Sequence, residues 1–258
     1  MESFTNIFDS HAHYDDKKFD NDRDDILKNL FNNGICNIIN VGADLASSQT
    51  SKNLANKYEN IYFACGVHPH EVENLPSNYL EIIESLAGDK KCVAIGEIGL
   101  DYFYDFSPRE IQKEAFKQQL ILAKKLQKPV IIHSRDASQD SLNILTSYKP
   151  CGVVHCFTQS AQTAKKIIDI GMYIGITGVV TFKNAKKVIE VVENIPVDKL
   201  LLETDCPYMA PEPNRGKRCD SSMIRFTAQA IAKIKKIDTQ KLIDICNENT
   251  LKCFNIKK

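Results

Sequence analysis

Eight short apolar runs, each followed by an amphipathic stretch, constrain this chain more than any other feature. They span residues 7–11, 36–41, 61–67, 92–98, 129–133, 152–157, 172–180 and 199–204. Each is rich in β-branched residues and almost uninterrupted in apolarity, as strands buried on both faces are. The stretches between them carry helical spacing. Ile26, Leu27, Leu30 and Phe31 recur on one face before Gly34 ends the turn. Ser107-Pro108-Arg109-Glu110 reads as a capping box with Pro at the first helical position, and Ile111, Ala115, Leu122 and Leu126 form one stripe behind it. Two helices, near 220–236 and 239–254, close the chain. Strand–helix alternation without a low-complexity linker predicts a parallel α/β fold. A count of eight favours a closed barrel over an open sheet, and the 258 residues suit one barrel of ordinary size. The expectation is a single domain over 1–258: a (β/α)8 TIM barrel with an extra C-terminal helix.

The six histidines, His11, His13, His68, His70, His133 and His155, all fall at or just past the end of a predicted strand. In a barrel of this kind the C-terminal rim is where active sites are assembled. Any one of them alone reads as an ordinary satisfied polar residue; six in register do not. Asp9, His11 and His13 alternate along the first strand, which places them on one face. The two imidazoles are then positioned to hold a metal, with Asp9 beneath them to orient a ring nitrogen. Glu97 interrupts an apolar fourth strand, sharing its face with Ile95, and a buried carboxylate needs a cationic partner. His133 and His155 end the fifth and sixth strands. Asp205 ends the eighth with Glu203 below it on the same face, and is placed to act as general base on a water. Four His, one Glu and one Asp make a donor set suited to Zn²⁺ or Mn²⁺, and less naturally to Mg²⁺. Cys156 neighbours His155 and so faces away from it, which argues against a Cys–His nucleophile. His68 and His70 aim at the mouth, Arg135 shares a face with His133, and Asn214-Arg215-Gly216-Lys217-Arg218 is a basic loop after the last strand. These are candidate phosphate contacts.

The segments DSHAH at 9–13, GVHPH at 66–70, GEIGLDY at 96–102, FSPREIQKEAF at 106–116, PVIIHSRDA at 129–137, HCF at 155–157 and ETDCPYMAPEPNRGKR at 203–218 resemble the TatD-type deoxyribonucleases. The resemblance runs over essentially the whole chain. It implies a TIM barrel, two divalent metal ions and cleavage of DNA phosphodiesters, often as a 3′–5′ exonuclease. It also implies metal ligation by His11, His13, Glu97, His133, His155 and Asp205, with His68, Tyr102, Arg135 and Arg218 in the substrate pocket. Two departures stand out. Cys206 follows the ligand Asp where Ala or Ser is usual, and Cys219-Asp220-Ser221 replaces the usual Asn-Glu-Pro near the rim.

Composition narrows the partners. Lys plus Arg and Asp plus Glu are 33 each, so no global basic field drives tight, passive coating of DNA; a DNA substrate would be held weakly. No run approaches the ~18 apolar residues of a membrane helix, and the first residues, MESFTNIF, lack a basic n-region. Nine cysteines without a C-x-x-C pair fit a reducing compartment. The expectation is a cytoplasmic monomer. An amidohydrolase-like enzyme acting on an amide, ester or lactone, an aminoacyl-tRNA ester included, would use the same metal chemistry, and a non-catalytic binding protein would retain no metal.

Overall fold

The computed structural model describes residues 4–257. Among them the strands are β1 (Ile7–Ala12), β2 (Ile35–Val41), β3 (Ile61–Cys65), β4 (Cys92–Asp101), β5 (Val130–Arg135), β6 (Gly152–Val154), β7 (Tyr173–Ile176) and β8 (Leu200–Leu202). They form one parallel sheet in the order β1 to β8. The helices are α1 (Arg23–Asn32), α2 (Leu45–Lys57), α3 (Tyr79–Ala87), α4 (Arg109–Lys125), α5 (Ser138–Tyr148), α6 (Ala161–Asp169), α7 (Lys186–Asn194), α8 (Ile224–Lys235) and α9 (Thr239–Cys253). This is the expected (β/α)8 barrel with an added C-terminal helix. No helix among the described residues is long and apolar enough to cross a membrane.

Two apolar clusters fill it. The larger packs the helices against the outer strand faces. The smaller takes Phe8, Ile39, Ala64, Ile131, Val153 and Leu201 from six different strands and adds Phe254 from beyond α9, so it is the barrel lumen with its foot plugged. Moving up two residues from Ile131, Val153 and Leu201 reaches His133, His155 and Glu203. Period-two alternation therefore sets the polar mouth directly on an apolar floor.

Two strands break that period beside the site. In β4, three steps from Ile95 to Ile98 match two on β5, from Val130 to Ile132. The extra residue puts Ile95 in the outer core and Glu97 in the mouth, so the expectation that they share a face is wrong. Gly99 follows the bulge with φ +146°, and a Cβ there would lie 1.9 Å from the His133 carbonyl oxygen. A register shift in β1 between Asp9 and Ala12 likewise separates Asp9 from the two histidines.

Asp9 instead closes the barrel. β8 meets β1 through Asp205 N–H to His11 O (2.9 Å) and His13 N–H to Cys206 O (2.8 Å). The fully buried Asp9 carboxylate spans the same seam, accepting from Thr204 N–H (3.0 Å), Thr204 Oγ1 (2.6 Å) and Ser221 Oγ (2.6 Å). Ser221 also bonds Tyr14, with its N–H donating to the phenol oxygen at 2.9 Å. The Cys219-Asp220-Ser221 departure thus serves the seam and not the rim.

Other boundaries shifted for local reasons. β6 and β7 are shorter than their apolar runs because Cys156 turns left-handed (φ 43°) and Gly178–Thr181 winds into a 3₁₀ turn capped by Thr177. Ser107 does not cap α4. Its hydroxyl donates to His70 O (3.0 Å), Pro108 takes the cap position without a side-chain acceptor, and the helix start is tied to the β3 turn. If Asp9 stitches the seam, Asp9→Ala removes the acceptor shared by Thr204, Ser221 and the His11 N–H and should lower stability in urea unfolding by about 3 kcal/mol. A loss below about 1 kcal/mol would contradict the seam.

Candidate metal centre

The six donors reach the mouth from five strand ends. His11 lies near the end of β1 and His13 just past it; Glu97 follows the β4 bulge; His133 is in β5; His155 directly follows β6. Asp205 follows β8 with φ 60°, a left-handed turn that Asp tolerates. Four trios lie within ligand reach: His11–His13–Asp205, His11–Glu97–His155, His68–Glu97–His133 and His68–His70–Asp101.

Glu97 sits at the junction. Its Oε1 is 2.7 Å from His155 Nε2, 2.8 Å from His133 Nδ1 and 3.6 Å from His68 Nε2. Its Oε2 lies 3.5 Å from His11 Nε2 and 3.7 Å from His13 Nε2. Asp205 Oδ1 approaches the same two rings at 3.7 and 3.4 Å. Burial alone would raise the Glu97 carboxyl, but His155, His68 and the hydrogen bonds of His11 and His133 hold it well below the usual range.

The histidines divide accordingly. Burial and neighbouring His155 push His11 down to about 4. Burial would lower His13 too, yet Asp205 and Glu97 lift it to about 10; His133, under Asp101 and Glu97, rises to about 9. The cluster therefore demands positive charge. His11 Nε2 and His13 Nε2 stand 3.1 Å apart, and the buried His11 Nδ1 and His155 Nδ1 have no hydrogen-bond partner. Converging nitrogen lone pairs flanked by two carboxylates, with no Lys or Arg among them, fit divalent cations.

Hydrogen bonds outside the trios set the tautomers. His13 Nδ1 donates to Val41 O (2.8 Å), which leaves Nε2 free to ligate. His133 Nε2 donates to Asp101 Oδ2 (3.0 Å), which turns Nδ1 toward Glu97. Asp101 was overlooked in the sequence, although after the bulge it alternates with Glu97 on one face. Its Oδ1 accepts from Phe103 and Tyr104 N–H (3.0 Å each), and Oδ2 also meets His70 Nε2 at 3.0 Å. Burial opposes its charge, but the bond from His133, the adjacent His70 imidazole and the Tyr104 N–H hold its carboxyl far below the ordinary range. With four contacts made, Asp101 orients imidazoles.

The remaining expectations divide. His68 and Arg135 line the mouth, a cavity of about 820 Å³. Tyr102 does not, since its hydroxyl donates to Asp140 (2.7 Å) under the Arg109 guanidinium. Nor does Arg218. It is drawn into a bidentate pair with Asp22 (2.8 and 2.6 Å) and the Lys18 carbonyl, while Arg215 lies over Phe182, so the basic loop clamps neighbouring loops. Asp9 orients no ring nitrogen, because the seam claims its carboxylate. Glu203 lies 3.9 Å from His155 Nδ1 and accepts from Cys156 N–H; burial raises it to about 8. Cys156 is no thiolate, as burial and the nearby carboxylates push it well up.

If Asp101 fixes His133, Asp101→Ala should weaken metal retention about 10- to 100-fold, read by metal titration, with the fold kept. Unchanged affinity would assign Asp101 to the loop alone.

Comparison with known proteins gives a consistent picture. The family described as TatD related DNase matches residues 8–255. The metal-dependent hydrolase YabD of Bacillus subtilis is 40% identical over 253 residues, covering 97% of this chain and 99% of that protein. The 3′-5′ ssDNA/RNA exonuclease TatD of Citrobacter rodentium is 34% identical over 258 residues, covering 97% and 98%. The crystal structure of the TatD homologue YJJV from Escherichia coli superposes with a TM-score of 0.92 at 30% identity, covering 98% and 99%.

Proposed function

The chain belongs to the TatD related DNase family of metal-dependent hydrolases, and within it we propose that this protein cleaves DNA phosphodiesters from the 3′ end, using two divalent ions. The placement of Glu97 carries the reading. One oxygen faces His133 and His155 while the other faces His11 and His13, so a single carboxylate reaches both halves of the donor set. Held there, two ions would make a water acidic enough to attack near neutral pH and would neutralise charge on the phosphate oxygens.

The protein's own groups have separable tasks. His11, His13 and Asp205 would hold one ion; His133 and His155 would hold the other, with Glu97 between. Asp205, kept ionised against its burial by His13 and His11, is the acceptor for the attacking water's proton. His68, 3.6 Å from Glu97, and Arg135 face the open side of the centre, where the phosphate enters. The apolar floor beneath keeps bulk water from below. Zn²⁺, Mn²⁺ and Mg²⁺ are the candidate ions, the N/O donor set favouring the first two. The exonuclease name of the Citrobacter relative supports the choice of a nucleic acid over a carbonyl substrate.

The test uses metal-loaded protein and a 5′-labelled single-stranded DNA. Wild type should shorten it stepwise, chelator should abolish the ladder, and Glu97→Ala should lose at least about a thousandfold in rate. A folded, metal-loaded wild type that leaves DNA intact but hydrolyses ester or amide substrates would overturn the reading.

A further inference from the structure

The rim of the mouth differs from the rest of the surface. Among the described residues seven large apolar side chains are exposed, and five lie in two rim loops. Phe103 (55% exposed), Tyr104 (47%) and Phe106 (63%) follow β4; Tyr208 (45%) and Met209 (36%) follow β8. Scattered exposed apolar residues need no explanation, but a group of this size does. Because β4 and β8 stand four strands apart in an eight-strand ring, the two loops face each other across the cavity that holds the metal donors.

The β4 loop clusters its aromatic rings, with Phe103 edge-on to Tyr104, centroids 4.9 Å apart and planes 88° apart. Tyr104 and Phe106 stack with centroids 5.2 Å apart and planes 26° apart. The His70 ring meets both edge-on, at 5.3 and 4.8 Å, which couples the stack to the donor cluster. The Arg135 guanidinium lies over Phe103 at 3.9 Å and Tyr104 at 4.7 Å. Asp101 accepts from the N–H groups of Phe103 and Tyr104, so the carboxylate that orients His133 also anchors this loop.

Charge says what fits there. The chain is balanced at 33 cationic and 33 anionic residues, and the mouth also carries Asp15, Asp16 and Glu71. A duplex held by its two phosphate rows needs a continuous basic track; among the described residues the cavity is lined by one arginine, Arg135, and the cations beside the β8 loop are engaged, Lys18 over Tyr208 and Arg218 with Asp22. Exposed aromatic faces beside an arginine plane instead suit nucleobases, and only unpaired bases have free faces. We propose that Phe103, Tyr104 and Phe106 form a stacking platform that grips the bases of an unpaired strand next to the scissile phosphate. The grip then comes from bases more than from phosphates. This rests on the nuclease reading above and assigns it a binding surface.

The test measures binding without turnover. Metal-loaded protein is titrated into two fluorescein-labelled, phosphorothioate-linked oligomers of equal length, one of thymidines and one of abasic deoxyriboses. Anisotropy should show wild type binding the thymidine oligomer at least about tenfold tighter. Phe106→Ala and Tyr104→Ala should each bring that ratio toward one, and Phe106→Trp should keep it, with circular dichroism confirming the fold. Equal binding of both oligomers by wild type, or a ratio that survives in the Phe103/Tyr104/Phe106 triple alanine variant, would overturn the platform. Wild type that cleaves DNA but shows no base dependence refutes the platform alone. Wild type that shows base dependence but cleaves no DNA refutes the nuclease reading and leaves the platform standing.

Discussion

A carboxylate that is 4% exposed and ringed by imidazoles is the constraint around which this molecule is arranged. Glu97 sits within 3.7 Å of a ring nitrogen from each of five histidines: His11, His13, His68, His133 and His155. Burial disfavours charge on these rings, but Asp205 and Glu97 raise His13 and Asp101 and Glu97 raise His133, so the carboxylates favour positive charge at the cluster. Metal ions and protons compete for the same lone pairs. The surroundings are chosen to decide that competition. Val41 O and Asp101 each take the N–H on the far side of a ring, and so keep the nitrogen facing Glu97 available.

The scaffold reaches this arrangement by departing from regular strand geometry at two places. The β4 bulge rotates Glu97 inward, and Gly99 lets β4 pass His133 closely enough for Asp101 to follow. The β1 irregularity frees Asp9 to bridge the seam while His11 and His13 turn to the mouth. Seam and candidate metal centre are therefore one structure. His11 accepts from Asp205 N–H with its carbonyl and aims its ring at Asp205 Oδ1. Local disorder in the seam would move two ligands at once.

Much of this is legible in the sequence. The apolar runs are long enough to find every strand, and the position of each histidine at a strand end finds the mouth. What failed has a common cause: a strand's period of two holds only between bulges. Asp9 with His11, and Glu97 with Ile95, are each counted across an extra residue, which in β4 the glycines at 96 and 99 could have signalled. Asp101 lay within reach of the same argument but sat beyond the bulge. Arg218 and Tyr102 show a different limit. Their partners Asp22 and Asp140 are distant in sequence, and the resemblance to a family says where a residue stands, not what already occupies its charge. The sequence reading passed over Phe103, Tyr104 and Phe106, because their exposure is a tertiary fact.

The central claim is that Glu97 divides the donor set between two ions. Anomalous diffraction from crystals grown with Mn²⁺ tests it most directly. The account predicts two peaks, one among His11, His13 and Asp205 and the other beside His133 and His155, with the Glu97 carboxylate between them. A single peak, or a peak displaced to His70 and Asp101, would contradict it.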